Sequence, residues 1–159
     1  MSAEIAISNK RLRPLVGISP EALLVHEIYT SIQGESTFAG ELCTFIRLSV
    51  CHLRCKYCDT RHAFAGGATM QQSEILAACK EKGISLVEIT GGEPLLQKPV
   101  YPLMQALCDA GYKVLLETSG SIDITHVDPR VHKIIDLKTP SSGEVAANLW
   151  SNLTPLQPH

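Results

Sequence analysis

Three cysteines within eight residues, in the run Cys51-His52-Leu53-Arg54-Cys55-Lys56-Tyr57-Cys58, constrain this chain more than any other feature. They follow directly on Leu42 to Val50, a run rich in β-branched and apolar residues that predicts a strand. Disulfides staple small domains that lack a sufficient core, whereas 159 residues with 45% apolar side chains can bury one substantial core without them. The three thiols are therefore expected to be reduced and to hold a metal ion or cluster. Cys43, Cys79 and Cys108 sit among apolar neighbours such as Leu42, Ala78 and Leu107. They are assigned to the core, where free cysteine packs as a small apolar side chain.

The length fits one domain, and 19% charged with 5% aromatic residues is a globular rather than a disordered composition. A net charge of -2 argues against a non-specific nucleic-acid binder. No apolar run approaches the roughly 20 residues of a spanning helix, and Met1-Ser2-Ala3-Glu4 lacks the basic and apolar regions of a signal peptide. The expectation is a cytoplasmic chain with no nucleic-acid and no membrane partner.

Residues 1–20 mix Lys10, Arg11, Arg13, Pro14 and Gly17 without periodicity and read as a loose arm, leaving 21–159 as the domain. Leu23 to Tyr29 predicts a strand, Thr30 to Glu35 a polar turn, and Leu42 to Val50 the next strand. After Gly66-Gly67, Thr69 with Gln72 makes a capping-box start for a helix with Ile75, Leu76 and Cys79 on its inner face and Gly83 as its stop. Ser85 to Thr90 is a buried strand. A helix from about Pro99 places Leu103, Met104, Leu107 and Cys108 inward, and Lys113 to Thr118 and Lys133 to Lys138 are two further strands. Alternating strands and helices point to right-handed βαβ units and a mostly parallel sheet.

Four polar motifs end four of these strands: the cysteine run, Gly91-Gly92-Glu93-Pro94, Glu117-Thr118-Ser119-Gly120 and Asp136-Leu137-Lys138-Thr139-Pro140. Sites in parallel α/β sheets are built at the C-terminal strand edge, so the four motifs should share one pocket. Cys-x3-Cys-x2-Cys suits three corners of a [4Fe-4S] cube and leaves the fourth iron open. The alternative is zinc, with His52, Asp59, His62 or Cys43 as fourth donor, although the usual second Cys knuckle is missing. At Gly91-Gly92 the lack of Cβ atoms would let a ligand approach the backbone, and exposed carbonyls with the Glu93 carboxylate would suit an ammonium group.

With Tyr57 before the last cysteine and this glycine-rich strand end, the chain resembles the radical S-adenosylmethionine (SAM) superfamily. The resemblance narrows to the family of 7-carboxy-7-deazaguanine synthases of queuosine and 7-deazapurine biosynthesis. The residues that carry it are Glu27 to Glu35, Phe45 to Leu48, Cys58-Asp59-Thr60, Thr90 to Pro94, Glu117 to Gly120 and Asp136 to Lys138, and it covers about residues 23–159. Ser36 stands where many relatives have glycine, and the first cysteine interval is the short form. The resemblance implies an α/β fold, a radical SAM partial (β/α) barrel with a mostly parallel sheet. Relatives continue with further strand-helix units, so a C-terminally incomplete barrel is expected, with the stretch from Trp150 to His159 trailing off the last strand.

What the resemblance implies for function is a lyase that converts 6-carboxy-5,6,7,8-tetrahydropterin into 7-carboxy-7-deazaguanine and ammonia. Its cluster passes one electron to SAM, the resulting 5′-deoxyadenosyl radical takes hydrogen from substrate C6, and the hydrogen is returned so that SAM is regenerated. Cys51, Cys55 and Cys58 would hold the cluster. Tyr57, Cys58 and Asp59 would lie near the adenosine, Gly92 and Glu93 at the methionine amino group, and Ser119 and Lys138 along the ribose and carboxylate. Ile32, Gln33, Gly34 and Glu35 would form the substrate loop, Arg47 would hold the substrate carboxylate, and Thr90 and Glu117 would also touch substrate. Thr60 matches a Mg²⁺ ligand. A homodimer and an external electron donor of flavodoxin or ferredoxin type complete the expectation. His26, His126, His132 and His159 are left as structural or surface residues. Two alternatives stand beside this: a radical SAM enzyme of activase type, which would lack the Ser31 to Glu35 loop paired with Arg47, and a non-enzymatic zinc-binding module.

Overall fold

The computed structural model describes residues 10–154 and residue 156. Its first strand, β1 (Ala22–Ile32), opens on four buried residues, Ala22 to Val25, and then turns polar. The strand nevertheless runs on through Thr30, Ser31 and Ile32, expected as a turn, because β2 (Leu42–Leu48) pairs with it antiparallel and matches these three to Thr44, Cys43 and Leu42. Ladder pairing keeps the backbone extended after the hydrophobic pattern has ended. A short strand, β3 (Ala68–Gln71), absent from the sequence reading, pairs with the other side of β1.

That pairing also moves the start of α1 (Gln72–Lys82). Thr69 lies in the ladder opposite Leu24, so the capping box falls on Gln71, whose N–H donates to the Glu74 carboxylate at 2.6 Å. Ile75 and Cys79 are its buried face, and Gly83, at φ 66°, closes it as expected. The remaining elements are β4 (Leu86–Gly91), α2 (Val100–Asp109), β5 (Lys113–Thr118) and β6 (His132–Ile135). Val100, Leu103, Met104 and Leu107 of α2 join Ile75, Cys79, Ile46, Leu48, Ile89 and Leu116 in the main core. Cys43 is buried with Phe45, Leu86 and Leu115 in a second core, while Cys108 is only half-buried at the edge of the first.

The sheet order is β3-β1-β2-β4-β5-β6, with three parallel pairings running from β2 to β6 and two antiparallel ones around β1. It is an open, mostly parallel sheet, as a partial barrel requires. β6 is shorter than expected; Asp136 N–H still reaches Thr118 O at 2.9 Å, and the chain then leaves the sheet.

Both ends differ from the sequence reading where they are described. Residues 10–16 are not loose: Arg13–Leu15 form a 3-10 turn, and Leu12, 3% exposed, packs on Leu24 and Val50. The first nine residues of the expected arm lie outside the described residues. Beyond β6 the chain makes 3-10 turns at Pro140–Ser142, Val145–Ala147 and Trp150–Leu153 rather than trailing off. Buried Asn152 pins the last of them: it donates to Gly120 O at 2.9 Å and Ile122 O at 2.8 Å and accepts from Ile124 N. Position 155 and residues 157–159, including His159, lie outside the described residues. Among the described residues no helix is long and apolar enough to cross a membrane.

Candidate active site

The C-terminal ends of β2, β4, β5 and β6 and the loop after β1 surround one cavity of about 420 Å³. Cys51, Cys55 and Cys58 line it, as do Tyr57, Asp59 and Thr60. Thr90, Gly91 and Gly92 come from β4 and its end, Glu117 and Ser119 from the end of β5, and Asp136 and Lys138 from beyond β6. Gln33, Gly34, Glu35 and Arg47 complete the lining. Two expected site residues are not part of the lining. Ile32 points to solvent, 65% exposed, and Glu93 is fully buried.

The cysteine loop is set by a backbone turn at Val50, a non-glycine residue at φ 80°. Val50 N–H donates to Ala63 O at 2.7 Å, and Val50 O accepts Glu93 N–H at 2.9 Å. A Cβ on Gly92 would lie 2.3 Å from Val50 O, and one on Gly91 2.1 Å from Leu48 O. The two glycines therefore serve first to let β4 close against the end of β2, and ligand access is not what fills their Cβ positions. Two later residues hold the loop from outside: Lys56 N–H donates to Ser142 O at 2.9 Å, and Arg54 N–H to the Glu144 carboxylate at 2.7 Å. Sequence reasoning missed Ser142 and Glu144, since they meet the loop only through the tertiary fold.

Glu93 accepts from Leu95 N–H at 3.1 Å, Thr118 Oγ1 at 2.8 Å, Ser119 N–H at 2.9 Å and Ser119 Oγ. The carboxylate expected to meet an ammonium group instead ties the end of β4 to the end of β5. The Ser119 hydroxyl, though at the cavity, is shared between Glu93 and Ser121 Oγ. Lys138 forms an ion pair with Asp136. Tyr57 is half-exposed and its hydroxyl lies 3.3 Å from Thr139 Oγ1. Thr60 Oγ1 donates to Asp59 Oδ1 at 2.7 Å, which places two hard oxygen groups side by side.

Gln33, 3% exposed, accepts Glu35 N–H at 3.0 Å and donates to the Glu88 carboxyl. Thr90 Oγ1 donates to Glu117 Oε2 at 2.7 Å. Arg47 reaches the cavity with part of its fork committed, Nε to Glu27 at 2.8 Å and Nη2 to Tyr29 Oη at 2.6 Å. Glu88 is the charged lining residue the sequence reading passed over. It is the lone charged residue in the buried strand Leu86 to Thr90, two before Thr90 and so on the same face, and that was the available signal.

Burial, together with the neighbouring Glu117 carboxylate, pushes Glu88 up to about 7. Glu35 is also raised, first by the Glu117 charge, then by burial, Asp136 and Asp59. Burial raises the Cys51 thiol to about 11 and raises Cys55 as well. Bound metal would favour the thiolate of each, since it is the thiolate that ligates.

All three cysteines are free thiols that line one cavity. Among the described residues no group of three or more His, Cys, Asp and Glu side chains converges as a single-ion site. Zinc needs four donors within about 2.3 Å of one point, while a [4Fe-4S] cube takes each thiolate at a different corner. Of the candidate fourth zinc ligands, Cys43 lies in the core, His62 lies 3.8 Å from Glu27 and His52 Nε2 lies 2.9 Å from Ser121 Oγ, while Asp59 lines the cavity and accepts from Thr60 Oγ1. Three thiols around a cavity fit the cluster.

An open, mostly parallel sheet with such a thiol loop at the end of one of its two central strands has the form of a partial barrel, and residues 45–136 match the family model of the radical SAM superfamily. The chain belongs to the radical SAM superfamily, membership that implies a [4Fe-4S] cluster and SAM. It is 49% identical over 138 residues to the 7-carboxy-7-deazaguanine synthase of Chlorobaculum tepidum, covering 86% of this chain and 63% of that protein. To the 7-carboxy-7-deazaguanine synthase of Koribacter versatilis it is 47% identical over 137 residues, covering 85% and 61%. The crystal structure of QueE from Escherichia coli is similar with a TM-score of 0.67 at 25% identity, covering 80% of this chain and 64% of that one. The chain thus spans a little under two thirds of the length of these relatives.

Proposed function

We propose that this cavity converts 6-carboxy-5,6,7,8-tetrahydropterin into 7-carboxy-7-deazaguanine and ammonia, with SAM used catalytically. The observation that carries the reading is that one cavity is lined both by the three thiols and by the polar groups of Gln33, Glu35, Glu88 and Glu117. The similarity to 7-carboxy-7-deazaguanine synthases supports it. When bound on Cys51, Cys55 and Cys58, the cluster supplies single-electron transfer to SAM and so hydrogen-atom abstraction and return.

The protein's own part is positioning. The ring N–H and amino donors of a pterin need acceptors, which Glu35, Glu117 and the Ile32 to Gly34 backbone offer, with Thr90 fixing Glu117. Arg47, oriented by Glu27 and Tyr29, turns the rest of its fork to the substrate carboxylate. Thr60 with Asp59 supplies oxygen donors for Mg²⁺. Tyr57 and Cys58 flank the adenosine, the Gly91-Gly92 backbone takes the methionine amino group, and Ser119 and Lys138 serve the ribose and carboxylate. Glu93 acts on SAM only through the ends of β4 and β5 that it joins. The reading includes residues 21–159 as the core domain, the cytoplasm as its compartment, a homodimer, and a flavodoxin- or ferredoxin-type donor.

Anaerobic reconstitution with iron and sulfide, followed by a product assay with SAM, Mg²⁺, reductant and the tetrahydropterin, tests it. The expected result is a brown protein that forms deazaguanine product and leaves SAM undiminished. A colourless protein holding zinc contradicts the cluster, and SAM cleavage without deazaguanine contradicts the substrate.

A further inference from the structure

Three arginines, Arg11 from far upstream, Arg54 inside the loop and Arg61 just after it, place their guanidinium groups on the backbone carbonyls of one short loop, residues 51–56. Arg11 Nη1 donates to His52 O at 2.6 Å. Arg54 Nη1 donates to Cys51 O at 2.7 Å and to Leu53 O at 2.6 Å, with its guanidinium 4.0 Å from the centre of the Phe64 ring. Arg61 Nη2 donates to Lys56 O at 2.6 Å. Every one of these carbonyls belongs to Cys51 or to a residue within two positions of Cys51, Cys55 or Cys58. The Glu144 carboxylate, held on Arg54 N–H at 2.7 Å, opposes these cations on the same loop.

Such an arrangement does more than shape a loop. Arginine stays charged throughout the accessible pH range, and the potential of an iron–sulfur cluster depends on the net charge and hydrogen bonding around it. Adding one electron adds one negative charge beside the three thiolates, and nearby cations stabilise that more negative form. We infer that Arg11, Arg54 and Arg61 form a guanidinium collar that raises the reduction potential of the cluster held by Cys51, Cys55 and Cys58. The inference rests on the reading above that these thiols hold a [4Fe-4S] cluster. The electron comes from an external one-electron donor, dithionite in the test, and no bond is made or broken in the step.

Arg11 and Arg61 are exposed, so they can be replaced with the fold retained. The test is a redox titration of the reconstituted, SAM-free chain with dithionite and mediators, followed by the electron paramagnetic resonance of the reduced cluster, with iron and sulfide counted alongside. The pair Arg11→Gln with Arg61→Gln is expected to lower the one-electron reduction equilibrium about tenfold, a shift of about 59 mV to more negative potential. The pair Arg11→Lys with Arg61→Lys should retain most of the parent potential, and added salt should narrow the difference. An unmoved potential with full cluster content, equal shifts in the Gln and Lys pairs, or a change in iron content alone would each overturn the collar. A parent chain that takes up no cluster overturns instead the reading on which the collar rests.

Discussion

Glu88, inside β4, and Glu93, two residues past its C-terminal end, are buried carboxyl groups, 3% and 0% exposed, and their surroundings are opposite. Glu93 collects four hydrogen bonds from Leu95, Thr118 and Ser119 and does not line the site cavity. Glu88 lines the cavity and meets one amide donor, Gln33, with the Glu117 and Glu35 carboxyls close by. The first saturates its acceptors within the protein and joins two strand ends. The second is left among like charges, and burial with the Glu117 charge holds its proton to about pH 7. The difference separates a braced floor, which positions the cluster loop and the glycine-rich strand end, from a wall whose polar capacity is open to a ligand.

The largest effect should come from removing the brace. Glu93→Ala leaves two backbone N–H groups and two hydroxyls without their acceptor, and urea denaturation should show a loss of about 3–4 kcal/mol. A loss below about 1 kcal/mol would erase the distinction between the two carboxyls. Gly92→Ala comes next, at about 2–3 kcal/mol, because its Cβ would sit 2.3 Å from backbone oxygen of Val50 that cannot swing aside. Thermal melting against the parent is the measurement, and an unchanged midpoint would show that the strand ends separate easily.

Glu88→Gln should alter the pH dependence of stability more than its size. The folded state holds the Glu88 proton to about pH 7 against an ordinary value of 4.5. Its contribution is therefore fully present below about 4.5 and is lost as pH rises through 7, on the order of 1–3 kcal/mol. Urea midpoints between pH 5 and 8 should fall in the parent and flatten in the variant; parallel slopes would refute the assignment. Ser36→Gly is the smallest effect. Ser36 occupies φ 62°, a left-handed conformation that favours glycine, so the variant should gain about 0.5–1 kcal/mol, within reach of the same urea measurement.

The sequence made the strand-end motifs legible because each parallel strand is a short apolar run that stops at its polar end; Lys113 to Thr118 is β5 to the residue. What escaped it depended on partners distant in the chain. β3 and the end of β1 are extended by ladder pairing, and the helix cap moved because Thr69 was taken into that ladder. Glu93 was visible in its motif, yet its direction was set by Thr118 and Ser119, which arrive only with β5. Glu88 escaped because a single acid in an apolar run reads as an interruption until Gln33 and Glu117 are seen around it.

The contrast between the two carboxyls is tested most directly by a carbon-13 NMR titration of the side-chain carboxyls in chain labelled at glutamate. One glutamate resonance is expected to titrate near pH 7 and to vanish in Glu88→Gln. Titration of every glutamate below pH 5, in parent and variant alike, would contradict the account.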